Sequence, residues 1–212
     1  MSKIHQSIVA LVLAFVGLAG CDYGIRTGGD TNPARVAEMQ QNLRDLWVGH
    51  IFWVRHVVSN IATNEPEERD AAEKEVVANT KQIASVMTPF YGEVASEKFY
   101  SLLDNNIRAV REYSEAALAG GKRQQDSALA YLASNADEIA DFLSHLNPYL
   151  QKDIVRGLIV THGAHHVLQI NQYKAKDYAP LGATWPMMRQ HIYVIADTMT
   201  TALAKQFPGK FS

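Results

Sequence analysis

Apolar positions recur along most of this chain at alternating steps of three and four residues. Val36, Met39, Leu43, Leu46, Trp47, His50, Val54, Val57 and Ile61 set the pattern in the first stretch. Such spacing puts one stripe of a helix against a core. Asn32-Pro33 supplies a cap and a first-turn proline at its start. Breaks near Asn64-Glu65-Pro66, Gly92, Gly120-Gly121, Asn147-Pro148 and Lys174–Gly182 divide the chain into six helices, with almost no strand signal.

The helices repeat in pairs. Val77–Ala84, Ala133–Ala140 and Arg189–Ala196 resemble one another, and their leading seam residues Asn79, Asn135 and His191 stand 56 residues apart. The odd helices obey the same period through His50, Asn106 and His162, each preceded four residues earlier by Leu46, Leu102 or Leu158. The expectation is therefore an all-α, six-helix bundle made of three αα-hairpin repeats. In antiparallel neighbours, residues equidistant from a turn share one height. The series 50, 79, 106, 135, 162, 191 straddles each turn symmetrically. At a rise of about 1.5 Å per residue these six side chains lie roughly 20 Å from either end, as a polar His/Asn belt at mid-height. Below the belt Leu46, Leu102, Leu158, Ile83, Ile139 and Ile195 form a uniform apolar layer. Above it the copies diverge, with Trp53, Arg55, Arg111, His165, His166, Tyr131, Glu75, Met187 and Met188. The lower end reads as plugged and the upper as open or specialised, with Lys174 to Pro186 as a lid over it.

The N-terminus changes the setting. Lys3, an apolar run from Ile8 to Ala19, and Leu18-Ala19-Gly20-Cys21 follow in order. The run is shorter than the roughly 20 residues of a bilayer span. The Leu-Ala-Gly-Cys sequence resembles the lipobox of bacterial lipoproteins. That resemblance implies a signal peptide over 1–20, acylation of Cys21 (palmitate among the chains), and a lipidated tether over 21–32. The domain then occupies 33–212. Two or three acyl chains anchor a protein far more stably than one. The chain would sit on the outer, periplasmic side of the cytoplasmic membrane, with the outer membrane as the alternative. Asp22 resembles the inner-membrane retention signal of enteric bacteria. Chain direction puts the tether at the plugged end. Cys21 is the sole cysteine, which excludes an internal disulfide. A net charge of −2 with interspersed signs provides no basic footprint for nucleic acid.

Leu46-Trp47-Val48-Gly49-His50 with Trp53 and Arg55, then Phe90-Tyr91-Gly92, Asn135–Ala140 and Gln206-Phe207-Pro208-Gly209-Lys210-Phe211 resemble a family of small bacterial helical-bundle proteins. The likeness covers about residues 43–211 and implies a fold rather than an activity. In that family the position of Asn106 is often His, so this chain departs there. No Gly-rich loop joins a strand to a helix, as a phosphate site of that kind needs.

The belt offers two chemistries. Asn in a helix seam fixes register and partner choice, so the six residues can serve structure alone. Three histidines from three helices can instead hold zinc or copper, leaving one position open. His50, His162 and His191 are the expected ligands, and His166, at i+4 from His162, is a candidate fourth. Asn79, Asn106 and Asn135 would orient the imidazoles or bridging waters. The expected function is non-enzymatic binding or sensing by a membrane-anchored envelope lipoprotein, of a metal ion or a small ligand. The alternative is a structural or protein-interaction lipoprotein. No enzyme constellation emerges: His165 and His166 lack an orienting acid.

Overall fold

The computed structural model describes residues 31–212. Cys21, the signal segment and most of the tether lie outside them. Seven helices run α1 (Pro33–Thr63), α2 (Pro66–Ser85), α3 (Thr88–Tyr91), α4 (Glu93–Ala119), α5 (Lys122–Leu146), α6 (Lys152–Ala175) and α7 (Tyr178–Gln206). Six are long; α3 is a single turn inside the second connection. Among the described residues there is no strand, and no helix is long and apolar enough to cross a membrane.

The turns have local causes. The side chain of Asn32 accepts from the Ala34 N–H, which caps α1, and Asn64 closes that helix in the left-handed conformation at φ 60°. Gly120 does the same for α4 at φ 77°, where a side chain would be strained.

The three hairpins α1–α2, α4–α5 and α6–α7 pack into a closed ring, each neighbouring the next, with α7 returning to α1. Arg44 closes the ring with a two-pronged ion pair to Asp197, at 2.7 and 2.6 Å. The first helix of each hairpin also touches the first helices of the other two. Thus α1, α4 and α6 surround a pseudo-threefold axis, and α2, α5 and α7 flank them.

The period of 56 is visible in the hydrogen bonds. The Asn79 amide donates to the Leu46 carbonyl at 3.0 Å, and the Asn135 amide donates to the Leu102 carbonyl at 3.0 Å. His191 Nε2 meets the Leu158 carbonyl at 2.9 Å. Each bond spans 33 residues and joins the two helices of one hairpin. A helical carbonyl has a second lone pair, so the bond adds to the helix ladder rather than competing with it. It pins the register of each hairpin.

Below the belt one large cluster includes Leu43, Trp47, Ile83, Leu102, Ile139 and Ile195, all buried. That end also brings the start of the described residues to the C-terminal segment: the Asn32 N–H donates to the Phe211 carbonyl, and Phe90, Phe207 and Phe211 pack together.

Two expectations for the upper half are corrected. It is not open along the axis, where Val54, Val57, Val76, Val110, Tyr113, Leu132 and Ile170 form a second apolar cluster; a cavity of about 200 Å³ lies at its flank, between those valines, Glu73 and Arg111. The two arginines of that half lie at its surface: Arg111 pairs with Glu73 and Glu115 at 3.4 and 3.5 Å, and Arg55 lies over the Trp185 ring. Nor is there a lid. Only Lys176 and Asp177 separate α6 from α7, which runs through Pro186. Pro180 falls in the first turn, where no N–H is needed. Pro186 lies inside α7, which continues past it at the loss of one backbone bond.

Candidate metal centre

The first helix of each hairpin lines the axis, so the period fixes what stands at each level. One layer holds Trp47, Leu103 and Ile159; the next His50, Asn106 and His162; the next Val54, Val110 and His166. All nine are buried. The third hairpin is the odd one: His166 occupies the place of two valines. One turn further Gln169 occupies the place of Val57 and Tyr113, which gives α6 a polar inner stripe.

His50, His162 and His166 come together. One ring nitrogen of each lies within 4.8 Å of the others, and the group contains no carboxylate. His162 Nε2 and His166 Nε2 are 3.2 Å apart. Two nitrogens about 2.0–2.1 Å from a tetrahedral ion stand roughly 3.3 Å apart, so this pair has a chelating separation. The i, i+4 spacing on α6 produces it directly. His50 completes the group from α1, its ring centroid 5.5 Å from that of His162 and 6.2 Å from that of His166. Drawing His50 onto the same ion requires a movement of at most about 1.5 Å.

The surroundings keep these rings neutral. Burial lowers His50 to about 4 and His166 to about 3, the latter helped by the neighbouring His50 and His165. Burial also drives His162 well below the usual histidine range, with His166 and His50 adding to the effect. A neutral imidazole carries the lone pair that a metal needs. The Nδ1 atoms of His50 and His166 are buried without a hydrogen-bond partner, as are Trp47 Nε1 and Gln169 Oε1. Each such group costs about 1–3 kcal/mol. The Trp47 ring stands edge-on to His50 and His162, at 5.4 and 5.8 Å.

The remaining expected residues are placed differently. His191 lies outside the group, half-buried on α7 with Nε2 committed to Leu158 and its ring 6.5 Å from that of His162. The amides of Asn79 and Asn135 donate to backbone carbonyls, and Asn106 donates to the Asn135 side chain at 2.9 Å. These donors therefore serve register and one another rather than the imidazoles. Met188 is 1% exposed and accepts from the Gln169 amide at 3.7 Å, whereas Met187 is 49% exposed. In the sequence Trp47 is one more position of the apolar stripe of the first helix. Its alignment with Leu103 and Ile159, one turn below the belt, is the signal that places it beside the histidines.

Comparison of the chain with protein-family models, curated proteins and solved structures gives no match.

Proposed function

We propose that this chain is a cell-envelope lipoprotein, acylated on Cys21, whose helical bundle binds one transition-metal ion through His50, His162 and His166. Its role is binding or sensing rather than turnover. One observation carries the reading: three fully buried, neutral imidazoles converge within 4.8 Å, with no carboxylate among them. Hydrogen bonding inside the protein satisfies most buried polar groups, so the unpartnered nitrogen on His50 favours a ligand that supplies the missing partner, to which His162 and His166 offer their Nε2 atoms. Copper and zinc both accept imidazole. The uncharged donor set favours Cu(I), because a divalent ion would bring twice the charge into a dry interior with no anion to offset it.

Elemental analysis of the purified protein, followed by titration with Cu(I), Cu(II) and Zn(II), tests the site. The expected result is one equivalent, lost on replacing His162 or His166 by alanine. Failure to hold any ion, or retention after joint replacement of all three histidines, overturns it. The anchor is tested separately by mass analysis of the N-terminal peptide from cells, where Cys21→Ser should abolish acylation.

The structural alternative has its own support in the three bonds from Asn79, Asn135 and His191 to leucine carbonyls. Register and ligand binding accordingly fall to different members of the belt.

A further inference from the structure

An ion at the triad would be enclosed. The lower apolar cluster lies on one side along the axis, with Trp47 among its members, and the upper cluster lies on the other, with Val54 and Val110. A bare ion crossing either would lose its hydration with nothing in exchange, at a prohibitive energy. Sideways, toward the seam of α6 and α7, the imidazoles continue. The His191 ring lies 6.5 Å from that of His162, and the His165 ring lies 5.1 Å from that of His191. Both outer rings are half-buried, so the series runs from the partly exposed edge of the bundle to its axis. Two imidazoles sharing one ion at about 2.0 Å per nitrogen have centroids about 5 Å apart at a tetrahedral angle and about 6 Å apart in a line, close to the shorter and the longer step respectively. With Nε2–H of His191 on the Leu158 carbonyl, its Nδ1 holds the lone pair. His165 adds a buried, unpartnered Nδ1.

We infer that His165 and His191 form the route by which an ion reaches and leaves the buried triad, passing from ligand to ligand without crossing apolar protein. The inference rests on the metal reading of His50, His162 and His166. In the first two hairpins the corresponding places hold Trp53 and Ala109 for His165, and Asn79 and Asn135 for His191. Only the hairpin that supplies two of the triad ligands carries the outer pair.

The repeat also supplies the substitutions. His191→Asn introduces the residue of the other two hairpins, with an amide that can keep the bond to the Leu158 carbonyl. His165→Ala introduces the residue of the second hairpin. The full chain is loaded with one equivalent of Zn(II), or in a parallel arm Cu(I), and release to excess chelator is followed by stopped flow together with uptake by the empty protein. In both single variants, and more in the double, uptake and release should slow by about tenfold or more while equilibrium affinity stays constant. Unchanged rates in variants that still load overturn the route and leave the triad standing. Loss of stoichiometric binding in His191→Asn also overturns it, by making His191 a resident ligand. Wild-type protein that takes up neither ion removes the metal reading itself, and the route with it.

Discussion

The second and third hairpins share a plan and differ in how they treat their polar residues. In α4–α5 the belt closes on itself: Asn106 donates to Asn135, and Asn135 donates to the Leu102 carbonyl. Above them the inner face is apolar at Val110. In α6–α7 the corresponding backbone bond survives through His191, but His162 turns to His166 instead of to its hairpin partner. The nitrogen left over on His166 has no partner. A self-satisfied network rigidifies and specifies packing, whereas a partly satisfied one is a cost unless something completes it. The difference separates register, which all three hairpins keep, from the proposed ligand binding, which is concentrated in one.

The comparison breaks most visibly with acid. Folding holds His50 at about 4, His166 at about 3 and His162 well below its ordinary value. The unfolded chain protonates all three near 6.5, so unfolding takes up protons at acid pH. Stability contributed by their neutral forms is intact above pH 7 and falls as the pH drops from about 6.5 toward 4. Each ring contributes up to about 1.4 kcal/mol per pH unit, so His50 and His166 together contribute about 2 kcal/mol between pH 6 and 5, and His162 adds in the same direction. The Asn pair of the second hairpin contributes nothing to this slope. Urea unfolding of metal-free protein at pH 7, 6 and 5 measures it, and a flat profile above pH 5 would contradict the buried triad.

His166→Val tests the same contrast by giving the third hairpin the residue of the other two. Metal affinity should fall by more than about 100-fold, since a chelating pair becomes one ring. The metal-free protein should keep its stability or gain about 1 kcal/mol, because a buried unpartnered nitrogen is replaced by a methyl group. Calorimetric titration and thermal unfolding read the two effects. A destabilised variant that still binds would assign His166 to packing.

Height was legible in the sequence; radius was not. The turns at Asn64, Gly92, Gly120 and Asn147 and the period of 56 fix which residues share a level, and the three 33-residue bonds occur where that arithmetic puts them. Equal height does not say which helix of a hairpin faces the axis. Here α1, α4 and α6 do, so His50 and His162 point inward with His166, while His191 sits on the flank. The alignment of His166 with Val54 and Val110 carried that information, since two valines mark a core position. The supposed lid misled for a different reason. Pro180, Gly182 and Pro186 punctuate a loop in isolation, but Pro180 falls in the first turn of α7 and Pro186 costs that helix one backbone bond without ending it. In the upper half, exposed Arg111 and half-buried Arg55 drew attention from the valines behind them.

The self-satisfied hairpin should fail through stability alone. Asn135→Ala removes the bond to Leu102 and leaves the Asn106 amide without its acceptor. One lost bond plus one buried orphan amounts to about 2–3 kcal/mol. Denaturant unfolding should show that loss while metal stoichiometry stays unchanged. A joint loss of ion would tie the second hairpin to the site.

The smallest effect concerns the first hairpin, where a Cβ on Gly49 would lie 2.9 Å from Asn79 Nδ2. Alanine at a helical position ordinarily stabilises by about 1 kcal/mol over glycine. Here the added carbon pushes the Asn79 amide off the Leu46 carbonyl, and its Oδ1 is already buried without a partner. An orphaned amide costs about 1–3 kcal/mol, so Gly49→Ala should be net destabilising by about 1 kcal/mol. The other hairpins carry Asn105 and Thr161 at this position and still make their bonds. Their second helices therefore stand where a Cβ fits, whereas the Asn79 amide approaches α1 to where a Cβ on Gly49 does not. If thermal unfolding instead shows Gly49→Ala stabilised by the full propensity difference, Asn79 can retreat as Asn135 and His191 have done. The closer approach would then be a consequence of the glycine rather than a requirement of the bond.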